Sequence, residues 1–403
     1  MEKSIVINNV SDRVKNLSES ATIAMARKSR ELKAQGIDVI SLSLGEPDFN
    51  TPDFIKDAAI EGIHQNYSKY MAVNGYEDFR DAISMKFKRD NNINYSPNQI
   101  VVSTGAKQSI ANVVLSTVNP GDEVIIPAPY WVSYEEIVKM AEGVPVFIET
   151  KIEDDFKITP DQLSNAISDK TKLMIYSSPC NPSGSVYLKE ELRSLADVLV
   201  NHPEIIVISD EIYEHINFTD SYFSMAAFDD VYNQVVTVNG VSKAFAMTGW
   251  RLGYIGAPEW IAKACTKIQG QFTSGASSIS QRAALAAVSA NPEVVGEMKS
   301  AFLERRDFII NQLKSISGVK INQPEGAFYV FPDVSSFFGK STGDRVIENS
   351  DDLCLYLLEE AKVALVTGNA FGSPACVRIS YAAAMDELKE AMHRISTALN
   401  KLD

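Results

Sequence analysis

The sequence predicts an α/β fold, a mostly parallel central sheet covered by helices, followed by a smaller α+β unit. Three observations carry this. Between about residues 99 and 258, seven short apolar runs alternate with amphipathic helical patterns. The runs are rich in β-branched residues and almost continuously apolar, as strands buried on both faces are. Beyond a long helical pattern at 301–318 the alternation stops, and shorter strand-like runs are interleaved with helices.

In chain order, TIAMARKSRELKAQG (22–36) reads as an N-terminal helix. The first strand-like run, IVVS (100–103), leads into AKQSIANVVLSTV (106–118), whose apolar positions recur at three- and four-residue spacing. EVIIP (123–127), VPVFIE (144–149) and KLMIYS (172–177) are the next strands, and LKEELRSLADVLVN (188–201) the next clear helix. EIIVIS (204–209), VVTV (235–238) and GYIGA (253–257) complete the sheet. In the second unit, EGAFYVF (325–331), KVALVTG (362–368) and VRISYA (377–382) read as strands, with a closing helix from about 385. FFGKSTGDRVIENSDD (337–352) is the loosest stretch and is expected to be an exposed loop. Alternating units with a helix on each connection favour a layered α/β architecture.

Length and composition narrow the function. A chain of 403 residues suggests two or three domains at ~150 residues each, and two is the working number. Hydrophobic residues at 45% and charged residues at 22% are globular values. No apolar run approaches the ~18 residues of a membrane span. The net charge of −14 argues against a nucleic-acid partner, so any phosphate bound should be small and local. The start, MEKSIVINNVSDRVKN, lacks the apolar core of a secretion signal, and Cys180, Cys265, Cys354 and Cys376 form neither a CxxC pair nor a disulfide framework. A cytoplasmic location is expected. His64, His202, His215 and His393 are too scattered for a metal cluster, and no metal is expected. GAKQS (105–109) lacks the spacing of a phosphate loop, and no GxGxxG follows a strand.

In open α/β sheets, ligands bind beyond the carboxyl ends of the strands. Those ends read STGAKQ, PAPYW, SSPCNPSG, SDEIY and NGVSK. They hold Trp131, Asn181, Asp210, Tyr213 and Lys243, of which Trp131, Asp210 and Lys243 are poorly explained as turn residues. The set suits a flat, anionic aromatic cofactor bearing an aldehyde. Lys243, held among apolar groups, would be an amine of lowered pKa able to form a Schiff base. Asp210 would hold a proton on a ring nitrogen, Trp131 would stack on the ring, and Tyr213 and Asn181 would reach a ring hydroxyl. The step Gly105, Ala106, Lys107 opens a helix just after a strand, where backbone N–H groups bind anions, and Arg251 and Ser242 add phosphate donors. The alternative for Lys243 is an apolar stem with its ammonium in water.

With these residues in view, the chain resembles the fold-type I pyridoxal phosphate aminotransferases, and within them the bacterial aspartate aminotransferases of subgroup Ib. The resemblance covers nearly the whole chain and rests on LGEPDFNTP (44–52), PAPYWVSY (127–134), NPSG (181–184), SDEIYEH (209–215) and SKAFAMTGWRLGY (242–254). It implies pyridoxal 5'-phosphate on Lys243, which also shuttles the proton, with Asp210 and Tyr213 in the catalytic set. It implies a grip on the substrate α-carboxylate by Arg378, and contacts to substrate from Gly45, Trp131 and Asn181. Tyr70 resembles a tyrosine that reaches the neighbouring subunit's phosphate, which implies a homodimer with shared active sites. Lys107 and Thr22 match positions facing the distal carboxylate of a dicarboxylic substrate. Aspartate and glutamate with their 2-oxo acids are the substrates this implies, and some relatives also aminate prephenate. A β-eliminating lyase, or an aminotransferase of aromatic or other amino acids, would use the same cofactor residues.

The resemblance also implies a large domain over 50–300 and a small domain made of 1–49 together with 301–403. Arg378 alternates with Val377, Ile379 and Tyr381 and so faces the other side of its strand, where the alternative is a solvated edge position. Lys107, in the first turn of its helix, opposes the helix dipole unless an anion is bound, and the alternative is simple solvation. Ala106, Cys180, Ser183 and Thr367 depart from the common pattern near the pocket.

Overall fold

The computed structural model describes residues 10–219, 221–343 and 345–403. Its centre is a seven-stranded sheet of β1 (Ile100–Ser103), β2 (Glu123–Pro127), β3 (Val144–Ile148), β4 (Thr171–Ser177), β5 (Ile206–Asp210), β6 (Val235–Gly240) and β7 (Gly253–Gly256), in the order β1-β7-β6-β5-β4-β2-β3. All seven expected runs are strands of this one sheet. The neighbours from β3 through β6 are parallel, and β7 runs antiparallel to both β6 and β1. The reason lies in the connection: 241–252 holds a single 3₁₀ turn, Thr248–Trp250, and no crossover helix. A parallel return needs a longer crossover, usually helical.

Both faces of the sheet are buried except at the edge strand β3, where Val144 and Phe147 are exposed. Val124, Ile126, Leu173, Ile175, Ile206 and Ile208 pack on one side under the helices Ala106–Thr117 and Glu259–Phe272. Ile125, Met174, Val207 and Val235 belong to the larger core on the other side. This two-sided burial explains why the strands read as continuous apolar runs rather than as alternating ones.

The smaller unit is a three-stranded antiparallel sheet of β8 (Tyr329–Val330), β9 (Val366–Thr367) and β10 (Val377–Ser380), in the order β9-β10-β8. The flanking helices are Gly296–Lys314 and Met385–Leu399, the latter burying Leu388, Ala391, Met392, Ile395, Ala398 and Leu399 at helical spacing. Ile40–Ser41, from the N-terminal part, pairs in parallel with Val363–Ala364, so the two ends of the chain share one sheet edge. The stretch 337–352 is more ordered than an exposed loop. It holds a hairpin pairing Ser341–Thr342 with Arg345–Val346 and the start of a helix, Ser350–Tyr356. Asn349 caps that helix by accepting from the Asp352 N–H at 3.0 Å, with Asp351 and Asp352 in the first turn where the dipole favours them.

Candidate active site

At the carboxyl ends of β4, β5 and β6 lies a pocket of about 260 Å³. Its walls include Ala106, Lys107, Trp131, Asn181, Asp210 and Tyr213 from the large unit. Ser242, Lys243 and Arg251 close one end, and Thr22, Gly45 and Arg378 come in from the N- and C-terminal parts. Twelve of the fourteen residues singled out from the sequence thus line one cavity. Gly105 sits immediately behind it, and Tyr70 is 99% exposed and lies outside it.

Lys243 follows β6 and turns its side chain into the cavity, where Nζ donates to the Gly45 carbonyl at 2.5 Å. Its ammonium therefore lies in the cavity and not in open water. Removal from solvent, with further repulsion from Arg378 and Arg251, depresses its pKa to about 8. Asp210 ends β5 and is 5% exposed. Burial raises its pKa to about 6, against opposing help from the Tyr134 hydroxyl, the Ile212 N–H and the Lys243 charge. Tyr134 Oη donates to Asp210 Oδ2 at 2.6 Å.

The opposite wall holds Arg378, central in its three-stranded sheet and 2% exposed, not a solvated edge residue. Nη1 donates to Asn181 Oδ1 at 2.9 Å and Nη2 to the Ser43 carbonyl at 2.5 Å and Thr22 Oγ1 at 3.4 Å. The guanidinium lies over the Tyr329 and Phe371 rings at 4.6 and 4.9 Å. Burial lowers its pKa, though the group keeps its charge. Arg378 Nε has no hydrogen-bond partner among the described residues.

The third corner is built from backbone. Gly105 precedes the helix Ala106–Thr117 with φ +84°, a left-handed conformation that glycine adopts without strain. A Cβ there would stand 2.5 Å from Arg251 Nη2, so glycine lets the guanidinium close on the helix N-terminus. Free N–H groups, a positive dipole end, Ser242 and Arg251 make this corner selective for an anion. Lys107, one step into the helix, holds Nζ 5.0 Å from the Trp131 ring centroid, and burial with repulsion from Arg251 lowers its pKa. It lines the pocket while its side chain remains exposed to solvent.

Among the pocket residues that the sequence reading did not single out, three bear on the site's polar groups. Tyr134 lies within PAPYWVSY but carries no signal that separates it from core. Tyr329 sat in a run read as a strand, yet its hydroxyl pairs with the Tyr213 hydroxyl at 2.9 Å, and a Cβ at Gly45 would overlap it. Ser177, opposite Asp210 in register, has a buried Oγ with no hydrogen-bond partner among the described residues. Among the departures, Thr367 caps the turn Gly368–Phe371 by accepting from the Asn369 N–H at 3.2 Å. Asp90, Glu214 and His215 do converge outside the pocket, but the Lys86 ammonium bonds Glu214 there and supplies the cation.

The chain matches aminotransferase class I and II over residues 37–395. It is 48% identical over 99% of its length to 84% of a Petunia hybrida bifunctional aspartate aminotransferase and glutamate/aspartate-prephenate aminotransferase. It is also 48% identical, over 97% of its length, to the whole of a Nitrosomonas europaea aspartate/prephenate aminotransferase. Among solved structures, the aspartate aminotransferase from Rhizobium meliloti superposes with a TM-score of 0.95 at 41% identity, covering 98% of this chain and 100% of that one. The Thermus thermophilus aspartate aminotransferase with maleate superposes at 0.91 and 38%, covering 97% and 100%. With its fold, its pocket and these likenesses, the chain belongs to aminotransferase class I and II, in the fold-type I aspartate aminotransferase-like family and its aspartate/prephenate subgroup.

Proposed function

We propose that this chain moves the amino group of L-aspartate or L-glutamate to a 2-oxo acid such as 2-oxoglutarate, with pyridoxal 5'-phosphate held on Lys243, and that prephenate is a further acceptor. The observation that carries the reading is the convergence of a lysine of lowered pKa, a buried carboxylate and a buried arginine in one pocket. The cofactor fits what is there. The corner of Gly105, Ala106, Ser242 and Arg251 suits its phosphate, Trp131 suits its ring face, and Asp210 suits its ring nitrogen. Asn181 and Tyr213 suit its hydroxyl. When bound, it supplies an aldehyde that condenses with amines and a ring that accepts the electron pair left when Cα loses its proton.

The remaining chemistry belongs to the chain. Lys243 is neutral often enough near pH 8 to act as nucleophile and then as the base that takes the Cα proton and passes it on. Asp210, ionised above about pH 6, holds a proton on the ring nitrogen. Arg378 would grip the α-carboxylate with its guanidinium, whose planar fork fixes the Cα–H bond relative to Lys243. Lys107 and Thr22 would meet a distal carboxylate. Because the amino group taken from the first substrate is held before it is given to the second, the two half-reactions would follow ping-pong kinetics.

The same reading assigns 50–300 to the large domain and 1–49 with 301–403 to the small one, supported by the pairing of Ile40–Ser41 with Val363–Ala364. It makes the protein a cytoplasmic homodimer in which Tyr70, free in the single chain, completes the partner's phosphate site. Half-reaction kinetics of the pyridoxal-phosphate-loaded protein against a panel of amino acids test the function. Aspartate and glutamate should react at least tenfold faster than alanine or phenylalanine, and pyruvate with ammonia as products would show a lyase instead.

A further inference from the structure

We propose that Tyr134 is a positioning residue for amino transfer, fixing the carboxylate of Asp210 and the ring of Trp131 in one arrangement without touching substrate. The inference rests on the reading of the pocket as a pyridoxal phosphate site. Tyr134 is 1% exposed, so its hydroxyl has no water to turn to, and it donates to Asp210 Oδ2 at 2.6 Å. The other oxygen, Oδ1, accepts the Ile212 N–H at 3.3 Å. Each carboxylate oxygen is thus anchored separately, one to the helix Ser133–Met140 and one to the backbone just past β5, and the carboxylate plane cannot rotate freely.

The same ring packs edge-on against Trp131, with centroids 5.5 Å apart and planes at 86°. Trp131 and Asp210 are the two groups assigned to the face and to the nitrogen of the cofactor ring, and Tyr134 touches both. A hydroxyl donating to the ionised carboxylate also favours that ionised form. Without it, burial would push the Asp210 proton affinity higher, and a proton shared with a ring nitrogen would shift toward the carboxylate. The ring would then be a poorer electron acceptor. The charged partner of Asp210 is Lys243, and the other titratable groups that sense it are Tyr213 and Cys180.

The test uses Tyr134→Phe, Asp210→Asn and the double variant. Tyr134→Phe should slow the aspartate half-reaction about tenfold, the equivalent of one hydrogen bond to a charged group, with little change in KM. In the Asp210→Asn background, where the hydroxyl has no charge to stabilise, it should slow the reaction several-fold less. In the cofactor-free protein, Tyr134→Phe should move the pH at which Asp210 ionises upward by about one unit, read from the pH dependence of the denaturation midpoint. Equal slowing in both backgrounds with an unmoved pH midpoint would overturn the proposal. If Tyr134→Phe does not fold, 3-fluorotyrosine placed at 134 keeps the shape and donates more strongly. It should lower the pH midpoint, and no movement would overturn the proposal as well. A wild-type protein that takes up no pyridoxal phosphate would defeat the reading of the pocket instead, while the cofactor-free titration would still report on Tyr134.

Discussion

Replacing Asp210 by Asn should stabilise the cofactor-free protein at neutral and alkaline pH while disabling it as an enzyme. Asp210 is buried and its pKa is raised to about 6, chiefly by loss of solvent. The unfolded chain ionises it near 3.9. A folded pKa above the unfolded one means the native state holds the proton more tightly, so stability is full below about pH 4 and is lost as pH rises through 6. Two units of difference correspond to about 3 kcal/mol at pH 8, of which about 1.4 kcal/mol is lost between pH 5 and pH 8. Asn keeps the acceptor for the Tyr134 hydroxyl and removes the charge. Urea denaturation of cofactor-free wild type and Asp210→Asn at pH 5 and pH 8 measures the difference. The gap between the two proteins should widen by about 1.4 kcal/mol on going to pH 8. A gap that stays constant or narrows would refute the assigned burial cost and, with it, the account of Asp210 as a carboxylate waiting for a positive ring nitrogen.

The other predictions follow the same geometry. Arg378→Lys should keep pyridoxal phosphate bound and lose roughly 2–5 kcal/mol in apparent affinity for α-carboxylates, seen as a raised KM for every amino acid tested. Unchanged KM would remove Arg378 from the substrate. Lys107→Gln should penalise aspartate and glutamate far more than alanine in half-reaction kinetics, and an equal loss for all three would end the distal-carboxylate assignment. Lys86→Met should destabilise the fold by roughly 3–5 kcal/mol by leaving the buried Glu214 without its ammonium partner. Burial works against that carboxylate, but Lys86, His215 and Asn91 together hold its pKa near 2. The deficit should therefore shrink in acid as Glu214 takes up a proton, and a deficit independent of pH would show that lost packing is the cause.

The strands were legible because each sheet strand is apolar on both faces, so a run such as EVIIP announces itself without a partner. The site was legible because Lys243, Asp210 and Trp131 stand at strand ends where neither turn chemistry nor core packing accounts for them. Two kinds of feature were not. The direction of β7 depends on the absence of a helix between 241 and 252, and the local residues of GYIGA are the same for either direction. Tyr134 and Tyr329 act through single hydroxyls whose partners, Asp210 and Tyr213, lie 76 and 116 positions away in the chain. Asn349 likewise turned an expected loop into a capped helix, a signal readable in principle from Asn followed by Asp at 351 and 352. Arg378 shows the opposite case: its strand alternation was readable, but not its burial between two aromatic rings.

Two lysines of lowered pKa, Lys243 and Lys107, share the pocket, and the account stands on which of them carries the cofactor. Borohydride reduction of the pyridoxal-phosphate-loaded protein, followed by peptide mapping, makes the attachment permanent and locates it. The label should appear on the peptide containing Lys243 and vanish in Lys243→Ala. A label on Lys107 or any other lysine in the wild-type protein would contradict the account.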